Sequence, residues 1–281
     1  MHICGTRGST SAPGDEFARY GGHTSCVAIG RDQELPDLIL DAGTGIRRVT
    51  ALLQGQPFHG TILLGHLHWD HTNGLPFFRG GDHPDSRVDV YLPEQGEDPM
   101  ATLEKVMAPP HFPITPTELD GRWRFLGLDE GTHRIEGYEV VAREIPHKGG
   151  RTFGYRISDG AATVAYVSDH YPAALGAGPE GFGPYHDAAL ALAAEVDLLI
   201  HDSQYLDEEW AAQGNFGHST ASYAIGLAKA AAVRKLLMFH HDPTRTDHDL
   251  DLLTEKWKKQ APLDVETAFE GQVIDVTGTR N

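Results

Sequence analysis

Six consecutive positions, His66-Leu67-His68-Trp69-Asp70-His71, put three imidazoles and a carboxylate on one short loop. Imidazole nitrogen and carboxylate oxygen are the donors that divalent transition metals take from proteins. His66 and His68 alternate, so on extended backbone they point to the same side. Asp70 and His71 lie just beyond, where a turn aims them at a second ion. The loop therefore has capacity for two metals. The competing reading is a polar loop in a chain that happens to carry 17 histidines. Against it stands the placement of further candidates. The loop itself follows the apolar run 61–65, His147 follows 140–146, Asp169 follows 163–168, and His240 follows 236–239. The same strand-end position recurs four times, which a random scatter of histidine does not produce.

This pattern resembles the metallo-β-lactamase superfamily, whose signature is His-x-His-x-Asp-His on the loop after a strand, with later His, Asp and His completing two metal sites. The resemblance covers nearly the whole chain. It implies a four-layer αββα sandwich, with His66, His68 and His147 on one ion, Asp70, His71 and His240 on the other, and Asp169 bridging. The last ligand has an adjacent alternative in His241. The phosphodiesterase branch of the family places its ligand directly after the apolar strand, which favours His240.

A second motif narrows the branch. Gly217-His218-Ser219-Thr220 opens an alanine-rich helical stretch leading to the strand that bears His240. This resembles ribonuclease Z and its phosphodiesterase relatives, in which a Gly-His-Ser segment supplies a non-ligand histidine that protonates the leaving oxygen. His218 inherits that role by resemblance. Ser219 or Thr220 also suits a helix N-cap. The segment His201-Asp202-Ser203-Gln204 stands where the family has His-Glu-Ala-Thr. The resemblance makes Asp202 the partner of His218, on a shorter carboxylate arm. The Gly-rich openings 5–10 and 20–25 also resemble this branch, although their glycines fit ordinary turns, and no catalytic role is assigned to them.

Composition sets limits on the partners. The 281 residues carry a formal net charge of −17, from 23 Lys and Arg against 40 Asp and Glu. A long polyanion is held by many basic contacts and is repelled by such a surface, so large nucleic acid is disfavoured. Ribonuclease Z also grips tRNA with a long flexible arm between its counterparts of His147 and Asp169. Only 22 positions separate them here, enough for two strands and a turn. No apolar stretch approaches a membrane span, and no signal segment opens the chain, so a cytoplasmic protein is expected. Cys4 and Cys26 make no disulfide framework.

Hydrophobic periodicity predicts strands over 25–29, 37–40, 61–64, 88–92, 138–144, 153–157, 163–167 and 197–200. Helices are predicted over 46–53, 188–194, 220–232 and 247–259. Periodicity alone gives α/β in one domain over 1–281. Two irregular segments, 107–116 with Phe112 and 170–187, are candidates for walls of a substrate site.

These readings lead to a dinuclear phosphodiesterase acting on a small substrate, such as a cyclic nucleotide or sugar phosphodiester. Asp70 would orient the nucleophile and His218 would act as general acid. Imidazole-rich ligation favours Zn²⁺, and the carboxylates leave Mn²⁺ open. A ribonuclease Z-like nuclease is the runner-up, with a lactonase or β-lactamase behind it. A metal-binding protein without activity is the non-enzymatic alternative. Relatives suggest a homodimer.

Overall fold

The computed structural model describes residues 1–31, 34–261 and 263–277. The single unit expected over 1–281 includes seven positions outside that set. Two sheets form the centre. The first runs in the order β1 (His2–Gly5), β2 (Cys26–Ile29), β3 (Leu38–Leu40), β4 (His59–Leu63), β5 (Arg87–Pro93) and β6 (Arg122–Leu128). The second contains β7 (Gly131–Ile135), β8 (Tyr138–Glu144), β9 (Phe153–Ser158), β10 (Thr163–Val167), β11 (Leu198–Asp202), β12 (Lys235–Phe239) and β13 (Asp264–Thr267), each beside the next. Strands β3 to β6 are mutually parallel, as are β10 to β13. The β9–β10 hairpin fills the short gap between His147 and Asp169.

Three apolar layers explain the stacking. Between the sheets, Val27, Leu38, Leu40 and Leu63 pack with Val140, Tyr155, Tyr166, Ile200, Leu237 and Phe239. Outside the first sheet, α1 (Ile46–Leu52) and α3 (Pro99–Glu104) bury Ile46, Val49 and Leu103. Outside the second, α4 (Asp187–Ala193), α6 (Ala221–Ala230) and α7 (Asp247–Gln260) bury alanines, Leu192 and Trp257. Among the described residues the remaining α-helices are the single turns α2 (Trp69–Thr72) and α5 (Trp210–Gln213). The result is an αββα sandwich. Each large apolar side chain taken fully from water contributes roughly 1.5–3 kcal/mol before entropy is counted. Among the described residues, no helix is long and apolar enough to cross a membrane.

Parallel strands bring their carboxyl ends to one edge, and loops there can carry chemistry on a rigid base. The strands β4, β8, β10, β11 and β12 deliver 66–71, His147, Asp169, Asp202 and His240 to that edge. Two strand ends turn sharply. Asp41 after β3 and His240 after β12 have φ of 57° and 58°, in the left-handed region that non-glycine residues seldom adopt.

Candidate metal centre

The loop after β4 folds as the sequence suggests. His66 lies on the irregular segment after β4 and His68, in extended backbone, caps α2, with their rings edge to face and centroids 4.3 Å apart. The turn of α2 then drives Asp70 and His71 inward, where both are buried. Opposite them stands Asp169, whose two oxygens divide the cluster. On one side, Oδ1 lies 3.8 Å from His66 Nε2 and 3.6 Å from His147 Nε2. His147 Nε2 is in turn 3.3 Å from His68 Nδ1. On the other side, Oδ2 lies 3.0 Å from His71 Nε2 and 3.3 Å from His240 Nε2. Asp70 Oδ2 completes that second set, 3.2 Å from His71 Nε2 and 3.3 Å from His240 Nε2. In each of the two groups, His66-His68-His147 and Asp70-His71-Asp169-His240, the donor atoms lie within 4.8 Å of one another.

The donors fit a cation chemically. Neither ring nitrogen of His66 has a hydrogen-bond partner although both are buried, and Asp169 Oδ2 has none either. His71 approaches that oxygen without the alignment of a hydrogen bond. An unpartnered buried polar group costs about 1–3 kcal/mol, and divalent ions at the two sets would satisfy one ring nitrogen of His66 and Asp169 Oδ2. Burial, reinforced by His71, holds His66 well below its ordinary pKa, and burial lowers His147 to about 4. Those rings present free lone pairs. Against the burial that opposes it, Asp169, Asp41 and Asp70 raise His71, and Asp169 with Asp70 raises His240. Burial pushes Asp70 and Asp169 up, but the histidines around them pull both below the usual carboxylate range. A metal binding there must displace any protons on these rings.

His241 points elsewhere. Its Nε2 lies 2.9 Å from the carbonyl oxygen of Ala268, and burial, then Arg7, lowers it to about 3. The left-handed turn at His240 separates the two neighbours, so only His240 faces the cluster.

His218 stands at the mouth, with Nδ1 3.2 Å from Asp202 Oδ2 and 3.7 Å from Asp169 Oδ1. Asp for Glu thus still reaches the histidine. The same Asp202 oxygen accepts the backbone N–H groups of His170 and Ser219, and Oδ1 accepts that of Gln204. The carboxylate pins three chain segments as well as the ring. With Nδ1 on Asp202, Nε2 is the nitrogen left for a substrate. Thr220 is the N-cap of α6, accepting from Tyr223 N, while the Ser219 hydroxyl donates to the His170 carbonyl.

The cleft over the cluster has a volume of about 600 Å³ and includes Trp69, His147, Asp169, Gln204, Phe216 and His218 in its walls. Among the described residues, no lysine or arginine lines it. Segment 170–187, an expected wall, is absent from the cleft. His170 turns inward onto His201 and His186, Phe182 packs on Trp210, and Tyr185 on Tyr223. Phe182 and Tyr185 are thus partly buried away from the cleft, and Gln213 and Phe216 line it instead.

A family model for the beta-lactamase superfamily domain matches residues 37–241, well over half the chain. The chain belongs to the metallo-β-lactamase superfamily. It lies on the ribonuclease Z-like branch and is a metal-dependent hydrolase. Similar curated proteins include the ribonuclease Z of Limosilactobacillus fermentum, 26% identical over 64% of this chain and 68% of that one. That of Listeria monocytogenes serotype 4b is 26% identical over 76% and 78%. Among solved structures, the metallo-β-lactamase fold protein YhfI from Bacillus subtilis superposes with a TM-score of 0.70 at 17% identity, covering 98% of both chains. The short form of human tRNase Z gives 0.62 at 21% identity, again covering 98% of each.

Asp41 escaped the sequence reading, and Gln204 and Ser9 lie in motifs to which that reading gave them no role. Asp41 Oδ2 lies 2.7 Å from His71 Nδ1 and accepts from the Tyr166 hydroxyl at 2.7 Å, while Oδ1 accepts from Gly65 N. Gln204 Oε1 lies 3.0 Å from His240 Nδ1. The Ser9 backbone N–H donates to Asp70 Oδ2 at 2.7 Å. A Cβ at Gly8 would strike the His240 ring and Gln204, which explains that glycine in the N-terminal loop. This superfamily centre thus has an outer ring of orienting groups, and removing such groups typically costs about 10–100-fold in metal affinity. We expect Asp41→Asn to weaken the ion beside His71 by that order while sparing the other. A chelator competition titration checks this, and unchanged affinities would strip Asp41 of the role.

Proposed function

We propose that the protein is a dinuclear phosphodiesterase of small substrates. The observation that carries this reading is Asp169, whose two oxygens face two separate histidine sets, with His218 poised beside them on Asp202. His66, His68 and His147 would hold one divalent ion, Asp70, His71 and His240 the other, and Asp169 would join them. Zn²⁺ suits five imidazoles best. The ions would supply Lewis acidity toward a phosphoryl oxygen and lower the pKa of an attacking water.

The protein's own groups do the remaining work. Asp70, fixed by the Ser9 N–H, is placed to orient the nucleophile. Asp202 accepts from Nδ1–H and orients the ring, so that, with both ring nitrogens protonated, His218 can pass its Nε2 proton to the departing oxygen as the ester bond breaks. Among the described residues the cleft is lined by no lysine or arginine, which favours a substrate with few phosphates.

A second reading, RNA processing, is favoured by the ribonuclease Z relatives. Salt separates the two. Polyanion binding weakens roughly as a power of salt concentration, with a slope of about −0.7 per single-strand phosphate contact. The metal-loaded protein should hydrolyse bis-p-nitrophenyl phosphate and a cyclic nucleotide with little salt dependence, and cleave a tRNA precursor poorly. Efficient precursor cleavage that collapses between low and moderate salt would replace the first reading with the second.

A further inference from the structure

Beside the metal cleft lies a second cavity that the proposed chemistry leaves unused. Its volume is about 680 Å³, and its walls include Trp69, Leu75, Phe77, Val106, Met107 and Phe112. Trp69 belongs to both spaces, forming the partition between them. The partition follows from α2. One short turn buries Asp70, His71 and Thr72, and leaves its first residue on the outer face. Trp69 is 73% exposed and Phe77 54%. Segment 107–116 brings Phe112 over the cavity, where it is half-buried against Phe77, edge to face with centroids 5.8 Å apart.

We propose that this cavity is a subsite for a flat heterocyclic ring, of the nucleobase type, carried on the ester arm that remains on phosphorus. The proposal rests on the phosphodiesterase reading for its phosphate. Three observations choose the occupant. The walls are aromatic on two sides, and ring faces and edges attract one another beyond simple burial. Asn73 presents an exposed amide at the border, offering a donor and an acceptor to a heterocycle's polar edge. Lys105, at the rim, is paired with Glu97, so the cavity offers a ring more than it offers a second phosphate. The arm is chosen by His218. That residue lines the cleft and not the cavity, so the oxygen it protonates leaves into the cleft, and the retained arm extends past Trp69.

The test uses three p-nitrophenyl phosphodiesters that share one leaving group and differ in the retained arm: thymidine 5′-yl, hexyl and methyl. For the wild-type protein, kcat/KM of the thymidylyl ester should exceed that of both others by roughly 5–100-fold, the range that base–aromatic stacking supplies, mainly through KM. In Phe112→Ala the thymidylyl-to-methyl ratio should fall toward one, with metal content and melting temperature measured on the same sample. In parallel, calorimetric titration with adenosine monophosphate and with methyl phosphate reads the subsite without turnover. Tighter nucleotide binding in wild type, lost in Phe112→Ala, supports the subsite even if no ester is hydrolysed, an outcome that would sink the phosphodiesterase reading alone. Equal binding of the two ligands, a hexyl ester as good as the thymidylyl one, or a preference retained in Phe112→Ala overturns the proposal. So does a Phe112→Ala protein whose only change is a weakened self-association, since the patch would then be covered by a second copy.

Discussion

Elemental analysis of the purified, active protein should find close to two transition-metal ions per chain. Seven donors on four loops exceed what one four-coordinate ion uses, and the two oxygens of Asp169 face opposite sets. His66→Ala should empty the His68–His147 side first, whereas Asp169→Ala should weaken both sides, and each should lose metal and turnover together. His240→Ala and His241→Ala form the sharper pair. The first removes a donor that faces Asp70 and Asp169. The second removes a ring that contacts the Ala268 carbonyl and Tyr20, and should cost stability with the metal count preserved. Full activity with at most one ion per chain would rule out the dinuclear scheme. Stripping the metals should also lower the melting temperature, because a ligand bound only by the native state stabilises it in proportion to the logarithm of its concentration over Kd.

How much of this was legible in the sequence depended on whether the information was local. The 66–71 loop was plain because its donors are neighbours along the chain. The single donors His147, Asp169 and His240 became legible because each follows an apolar strand, and parallel strands gather their carboxyl ends. Asp41 was not legible. Its function comes from the β3–β4 pairing, which sets it against His71 and Gly65 from 30 and 24 positions away. Gln204 and Ser9 are equally non-local, meeting over a sequence separation of 195. Strands β1, β6, β7 and β13 also escaped. β6 opens on Arg-Trp-Arg-Phe, an alternation that could have been read, whereas β7 buries only Ile135 and so shows no apolar face. The opposite error was made over 170–187. Gly, Pro and Tyr suggested a substrate loop, but its aromatics serve a small outer core with Tyr223 and Leu227. Composition alone cannot tell an aromatic that greets a ligand from one that closes a core.

His218→Ala should keep its metals and lose turnover by about 10²–10⁴-fold, the usual contribution of a positioned general acid. The reason is geometric: Nδ1 is committed to Asp202, and the ring lies on the cleft wall beside the ligand cluster. Leaving-group chemistry makes the test discriminating. p-Nitrophenolate departs without a proton, so the variant should lose far less on bis-p-nitrophenyl phosphate than on a cyclic nucleotide, whose alkoxide needs one. Asp202→Asn should show the same substrate dependence in weaker form, since the ring survives while the carboxylate that orients it through Nδ1–H is gone. The geometry admits one rival. His218 Nδ1 is 3.7 Å from Asp169 Oδ1, and His218 forms a potential donor group with His147 and Asp169. If the ring instead served as a metal ligand, His218→Ala would shed an ion and lose both substrates equally, and either result would remove the residue from the acid role.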